Sequence, residues 1–447
     1  MKVMVIGSGG REHVISWALA KSSKVKEVIC VPGNGGTDVE EKCRNIVPSL
    51  CEYLKDVKEK DSYCEIAKHE GCDLVVVGPE DPLALGVSDT LWENNIPVVG
   101  PKKEAANLEA SKDFAKEFMV QYGVACAESK TFTDALEAKD YIKEKGAPVV
   151  VKADGLAAGK GVVVAATTED AIKAVDDFMV SKNLGNAGTK IVIEEYLQGT
   201  EISILSAVSV SPDTIQNGTA CILPFVPARD HKRLLDGAKG PNTGGMGAIA
   251  PLDDVNKKQL DEFQKNILEP TLKGLIDRKM DYRGFIFFGI MLTSKGPKLL
   301  EYNVRLGDPE TQAVLPLMDF DFSDLCKSII DGTLNTFEPK WKKGYVCAPV
   351  VVSGGYPLKY KRGVPISLPK DTKNEVKIFI AGASVDRRGQ YNGLITSGGR
   401  VLAVSAFGSS AKKAREAAYD VVSQVSFDGA FYRKDIGLPG AAESGQL

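Results

Sequence analysis

Short apolar runs, each closed by glycine or proline, alternate with helical periodicity through the first hundred positions. Residues 2–6 and 27–31 read as strands, 11–21 as the helix between them, and 73–77 and 97–99 as later strands. The closures are Gly7, Pro32-Gly33, Gly78-Pro79 and Gly100-Pro101. This rhythm predicts βαβ units, and so a parallel sheet with ligands at the carboxyl ends of its strands.

From Ser111 the pattern changes. Helical stretches surround predicted strands at 149–153, 162–166 and 191–195, with a turn at 187–190. A loop rich in charge and glycine spans 229–247. Residues 284–292 and 298–303 bracket a turn at 293–297 and predict a hairpin. A β-rich segment, 346–404, carries turns at Ser353-Gly354-Gly355 and Ser397-Gly398-Gly399, and a helix at 411–424 closes the pattern. No internal repeat or low-complexity segment interrupts it.

Composition narrows the possibilities. The 447 residues suggest three domains at roughly 150 each. Hydrophobic residues make up 43%, charged residues 26%, and the net charge is −3, with no basic stripe to suggest a nucleic-acid partner. The most apolar stretch, 285–292, is far shorter than the roughly 20 residues that cross a bilayer. The N-terminus lacks the basic region, apolar core and cleavage site of a signal peptide. Nine scattered cysteines without a CxxC pair predict reduced thiols in the cytoplasm, not disulfides or structural zinc. Three histidines are too few for a histidine-rich metal centre.

The candidate chemistry lies where predicted strands end. Gly7-Ser8-Gly9-Gly10-Arg11-Glu12-His13 joins strand to helix, where glycines admit a phosphate and the helix N-terminus offers N–H donors. A nicotinamide site would want glycine where Glu12 stands and an acid where the second strand ends in Pro32-Gly33. A small phosphorylated ligand clamped by Arg11 fits better, although alone the motif also fits a plain tight turn. Gly78-Pro79-Glu80-Asp81 follows another strand and suits a sugar-binding loop with Glu80 accepting from hydroxyls; it equally fits a helix cap.

Lys152 ends one strand, and the glycine-rich loop from Gly155 to Gly161 leads into the next. Gly161 replaces the Ser or Thr of a Walker loop, so the segment reads as a flap over phosphates, with Lys152 on the inner and Lys160 on the outer ones. Residues 191–197 suit a nucleotide hinge: backbone around Glu195–Leu197 would read the adenine edge and Glu201 the ribose, or the strand simply ends in solvated acids. At 299–305, period two puts Glu301, Asn303 and Arg305 on one face and Tyr302 on the other. Glu301 and Asn303 are hard oxygen donors suited to Mg²⁺ shared with a triphosphate, and Arg305 could grip a carboxylate through two N–H groups.

Ten segments together resemble the ATP-grasp superfamily and, in detail, the phosphoribosylamine–glycine ligase (glycinamide ribonucleotide synthetase) family. They are GSGGREH at 7–13, GPEDPL at 78–83, SKDFAKEFM at 111–119, VVVKADGLAAGKGV at 149–162, DHKR at 230–233, GPNTGGMG at 240–247, EYNVRLGDPETQ at 301–312, SGGYP at 353–357, TSGGRVLAV at 396–404 and YRKDIG at 432–437. The resemblance implies a mixed α/β and α+β chain. Its N-terminal parallel α/β domain would span 1–101 and its ATP-grasp core 102–330, with a mobile lid inserted at 123–189. A β-rich C-terminal domain would span 331–440.

It further implies ATP as substrate with Mg²⁺ or Mn²⁺, and Lys112, Lys152, Gly155, Lys160, Gly161, Glu194, Glu195, Leu197 and Glu201 around the nucleotide. Glycine and 5-phosphoribosylamine would meet Gly9, Gly10, Arg11, Glu12, Glu80, Asp230, Lys232, Arg233, Asn242, Gly244, Arg305, Asp308 and Glu310. Glu301 and Asn303 would hold the metal, and Lys152, Lys160, Arg305 and Asp308 would act in catalysis. Loop 229–247, with Arg229 and His231, would cover the reacting centre. Glycyl phosphate would form first and be captured by the amine. The acid that many ATP-grasp enzymes carry on the preceding strand is missing from 287–290, which argues against a complete second metal site. A monomer is expected rather than a large oligomer. The alternatives are another ATP-grasp ligase or carboxylase, or a non-catalytic nucleotide sensor.

Overall fold

The computed structural model describes residues 1–156, 161–372, 375–387, 389, 393–438 and 441. Its first sheet is parallel, in the order Cys43–Asn45, Glu27–Pro32, Lys2–Gly7, Leu74–Val77, Val98–Val99. The chain runs outward on one side of Lys2–Gly7 and then returns to its other side. The strand order therefore switches between Lys2–Gly7 and Leu74–Val77, where a crevice opens beyond the carboxyl ends. The glycine loop at 7–10 and the Gly78–Glu80 loop lie at that crevice. The three-residue strand Cys43–Asn45 carries no alternation and was not anticipated from the pattern.

The central sheet is antiparallel: Cys221–Pro224, Thr200–Val210, Tyr282–Thr293, Gly296–Asn303. The last two strands form the expected hairpin. A smaller antiparallel sheet, Ser129–Phe132, Ile191–Glu195, Val149–Ala153, Val162–Ala165, has its own core, including Phe132, Ile142, Val151, Phe178 and Ile193. All of that core comes from 132–193, so this unit buries its apolar face within itself.

The fourth sheet runs Arg229–Asp230, Gly247–Ala250, Tyr345–Val352, Arg400–Gly408, Val376–Ile380. Helix Ala411–Val422 lays Ala414, Ala418, Val421 and Val422 against it. The segment read as one loop, 229–247, thus contributes strands at both ends to the C-terminal sheet. Between them it forms a small ladder of Arg233–Leu235 with Lys239–Asn242. A single hydrophobic core joins the first and central sheets, from Met4, Ile6 and Val75 to Phe288 and Tyr302.

Candidate active site

Helix Gly10–Ala20 starts directly from the first strand. At its N-terminus Glu12 folds back: Oε2 accepts the Gly9 N–H at 2.5 Å, and Oε1 accepts from Arg11 Nε at 2.5 Å. Arg11 also donates from Nη1 to the Leu306 carbonyl at 3.1 Å. Asn34, in the loop after the second strand, donates from Nδ2 to the carbonyls of Ser8, Gly9 and Ile380. Glu80 opens helix Glu80–Leu85 and pairs with Arg305 Nε at 3.2 Å. Burial would raise the Glu80 carboxyl, but the Arg305 and Arg11 guanidiniums outweigh it and hold it below its ordinary range.

Strand Gly296–Asn303 places Tyr302 inward, 2% exposed, with its hydroxyl 2.7 Å from Thr271 Oγ1, as period two predicts. Glu301 and Asn303 face the opposite way, opposite Gly289 and Phe287 of the neighbouring strand. Burial raises the Glu301 carboxyl, yet Lys232, Lys152, Lys112 and Arg305 together draw it below normal. Three lysines distant in sequence thus join the nearby Arg305 around one carboxylate.

Arg305 does not offer the two-pronged carboxylate grip expected of it. Nε donates to Glu80, Nη1 to the Leu306 carbonyl at 3.2 Å, and Nη2 to both Glu109 at 2.9 Å and Asn303 Oδ1 at 2.8 Å. That occupies four of the five guanidinium N–H groups, leaving one on Nη1 without a partner among the described residues.

On the nucleotide side, Lys152 Nζ lies 3.0 Å from Glu194 Oε2 and donates to the Leu300 carbonyl at 3.1 Å. The buried Lys116 sits 3.2 Å from the other oxygen of Glu194. Lys112 begins helix Lys112–Tyr122, whose N-cap Ser111 binds Asp154 of the flap loop at 3.0 Å. Glu201 pairs with Lys232. Glu195 accepts the Glu128 N–H at 3.0 Å, and Leu197 follows it, half-buried. Gly155 lies at φ +143°, and the Gly161 carbonyl accepts from Ala153 N. Lys160 falls outside the described residues.

Asp308 and Glu310 flank the start of helix Glu310–Val314. Asp308 accepts from Gln312 Nε2 at 2.7 Å and pairs with Arg400 Nη2 at 3.3 Å. Arg400 Nη1 also donates to the carbonyls of Asp308 and Gly244. Ser203 donates to Glu310 Oε1 at 2.8 Å. Burial and the Glu310 carboxylate push Asp230 well above the carboxylate range, and its buried Oδ1 has no hydrogen-bond partner among the described residues. Gly245, at φ +114°, lets the glycine-rich loop pass so near that a Cβ would strike Pro309 and Asp230. Arg233 and Asn242 lie opposite each other in the small ladder, with Arg233 donating to the Gly240 carbonyl. Arg229 pairs with Asp254, and His231 is buried against Gly247, so neither faces outward as a cover.

Sequence reading missed Arg400, Glu109 and Lys116. Arg400 stands inside a quoted segment, TSGGRVLAV, which was the available signal. Lys116 likewise stands inside SKDFAKEFM, whereas Glu109 is a charge on a helix that looks like a solvated face until its partners are known.

The donor set fits a divalent cation shared with a triphosphate. Glu301 is held ionised, and the Asn303 oxygen keeps one lone pair beyond Arg305. Among the described residues no group of three acidic, histidine or cysteine side chains could cage a metal alone.

Comparisons with known proteins place the chain in a family. A model of the phosphoribosylglycinamide synthetase N domain matches residues 1–109, that of its ATP-grasp (A) domain residues 110–311, and that of its C domain residues 346–439. The phosphoribosylamine–glycine ligase of Clostridium acetobutylicum is 45% identical over 98% of this chain and 99% of its own length. The Fusobacterium nucleatum enzyme of the same name is 43% identical over 98% of both chains. The crystal structure of phosphoribosylamine–glycine ligase from Thermotoga maritima, 33% identical, covers 98% of this chain and 100% of that one with a TM-score of 0.81. A biotin carboxylase from Campylobacter jejuni, 16% identical, shares the fold: TM-score 0.69 over 96% of this chain and 92% of that one.

Proposed function

Starting from a chain that belongs to the phosphoribosylglycinamide synthetase family, we propose a role for each side chain in the reaction of that family. The chain is an ATP-dependent carbon–nitrogen ligase. It joins glycine to 5-phosphoribosylamine, giving glycinamide ribonucleotide, ADP and phosphate in purine biosynthesis.

One observation carries the assignment of roles. Arg11 of the glycine loop and Arg305 beyond the Glu301–Asn303 pair donate to the same carbonyl, that of Leu306. The loop suited to a ribose phosphate therefore adjoins the strand suited to a triphosphate. Arg11, Gly9, Gly10 and Glu12 receive the phosphoribosyl end, and Glu80 its hydroxyls. Lys112, Lys152 and Lys160 neutralise the triphosphate, so that an anionic glycine carboxylate can approach the γ-phosphorus. The backbone from Glu194 to Leu197 reads adenine, and Glu201 takes the ribose.

Glycine's carboxylate oxygen displaces ADP and forms glycyl phosphate. The amine of phosphoribosylamine attacks the acyl carbon, and inorganic phosphate leaves. Asp230 and Glu310 offer carboxyl oxygens to the amines, while Asp308 and Arg305 orient the reacting groups through Arg400 and the remaining Nη1 proton. Glu301 and Asn303 would hold Mg²⁺ or Mn²⁺, which supplies charge neutralisation at the phosphates. The self-contained sheet unit supports a lid that runs on to Glu195, past the 123–189 read from the sequence, because strand Ile191–Glu195 belongs to its sheet and core, with 1–101 and 331–440 as flanking domains. A lid keeps water from the acyl phosphate. Nine free cysteines support a reduced, cytoplasmic setting, and no helix among the described residues is long and apolar enough to cross a membrane. The chain is read as a monomer.

ADP release tests the assignment, measured with glycine, with and without phosphoribosylamine generated in place. Full turnover is expected only with both substrates. Turnover with bicarbonate replacing glycine would instead favour a carboxylase.

A further inference from the structure

Glu109 stands near the C-terminal end of helix Lys103–Ala110, where the helix dipole disfavours a carboxylate, and it is 9% exposed. A carboxylate so placed costs free energy unless its oxygens are satisfied. Oε1 accepts from Arg305 Nη2 at 2.9 Å, and Oε2 accepts the backbone N–H of Val304 at 2.7 Å. One side chain thus holds two consecutive residues just past the metal strand. Through the second proton of Arg305 Nη2, its hold extends to Asn303 Oδ1. The other charged and titratable groups facing it are Glu80 and Arg11, from the two loops of the first sheet, and the buried Tyr282.

We infer that Glu109 is a positioning residue for the ligation, fixing Arg305 and Val304 so that the last Arg305 proton and the Asn303 oxygen face the substrates. This rests on reading 301–308 as part of the reacting centre. Burial pushes the Glu109 carboxyl up to about 7, with Arg305 opposing and Glu80 adding. Above that pH both oxygens are free to accept. Below it the added proton removes the charge pairing with Arg305, so the anchor loosens as pH falls.

The test is kcat/KM for glycine between pH 6 and 9, with phosphoribosylamine formed in place, alongside thermal stability. Native enzyme should lose activity on the acid side with a midpoint near 7. Glu109→Gln mimics the protonated form. It should run at least tenfold slower at pH 8 with that acid limb abolished and KM for ATP within twofold of native. Glu109→Asp should keep a limb and recover part of the rate. Native kcat/KM or a native acid limb in Glu109→Gln overturns the inference. Should Glu109→Gln not fold, Glu80→Gln serves instead. Removing the neighbouring like charge should move the limb to lower pH, and an unmoved limb is equally fatal. Absence of glycine-dependent ADP release in the native enzyme would instead overturn the ligase reading.

Discussion

Lys152 and Glu194 lie on adjacent antiparallel strands, and their charged ends meet at 3.0 Å in a buried setting. Lys116 holds the other oxygen of the same carboxylate. Lys152 can therefore turn toward a phosphate without leaving Glu194 as an uncompensated buried charge. Lys152→Met should keep the fold, because Lys116 remains, and should lower kcat by about two to three orders of magnitude, as loss of a phosphate-stabilising donor does. Circular dichroism and single-turnover ADP formation check both halves. An unfolded variant would show that the pair is structural.

Glu301→Gln keeps the shape and removes the charge that Lys232, Lys152 and Lys112 surround. Stability should change little, while ADP formation at limiting Mg²⁺ falls steeply and recovers in part at high Mg²⁺. Tyr302→Ala should reverse the pattern. It strips aromatic contacts with Phe118 and Phe288 and should cost about 3–5 kcal/mol of stability. A Mg²⁺ titration and a denaturant melt of each variant separate the two faces of the strand.

Arg11→Ala should raise KM for phosphoribosylamine by about 10- to 100-fold, the worth of a charged hydrogen bond, with KM for ATP nearly unchanged. Measurable NADH binding to the native protein would contradict a monophosphate site at the glycine loop.

His231 is 2% exposed, and its Nδ1–H donates to the Gly247 carbonyl. Burial, helped by Arg433, lowers its pKa to about 4. Between that value and roughly 6.5, the ordinary value, the unfolded chain takes up a proton that the native state refuses. Stability from this residue is therefore complete above about pH 6.5 and declines as pH falls toward 4, by about 3 kcal/mol at most. His231→Asn keeps a donor without the titration, and its stability should vary less with pH across that window. An unchanged slope would assign the acid sensitivity to other groups.

The strand carrying Glu301 and Asn303 was legible because period two separates faces without knowledge of a partner. The glycine turn between the first strand and the first helix was legible because strand, glycines and helix are contiguous. Glu109 and Arg400 were not. Their meaning lies in Arg305 and Asp308, which reach them only through tertiary contact, and a charge on a helix or sheet edge reads as solvated until the fold supplies its partner. Alternation likewise could not say that Gly247–Ala250 would pair with Tyr345–Val352, because register across a long separation leaves no local trace. Arg305 shows the reverse error: its type and spacing suggested a carboxylate fork, whereas its N–H groups are mostly spent inside the chain.

Asn34 turns one amide nitrogen toward the carbonyls of Ser8, Gly9 and Ile380. A peptide loop shows a visitor both poles of its dipoles, and the oxygen poles repel an anion as firmly as the N–H poles draw it in. By engaging Ser8 and Gly9 from behind, Asn34 mutes the repelling poles of the loop that Arg11 serves. The third carbonyl belongs to the C-terminal sheet, so the muting depends on that sheet being docked. On the proposed reading of this loop as a phosphate site, anion affinity at the first helix becomes a property of the assembled chain, and a fragment carrying only the glycine motif would hold the right sequence with the wrong polarity.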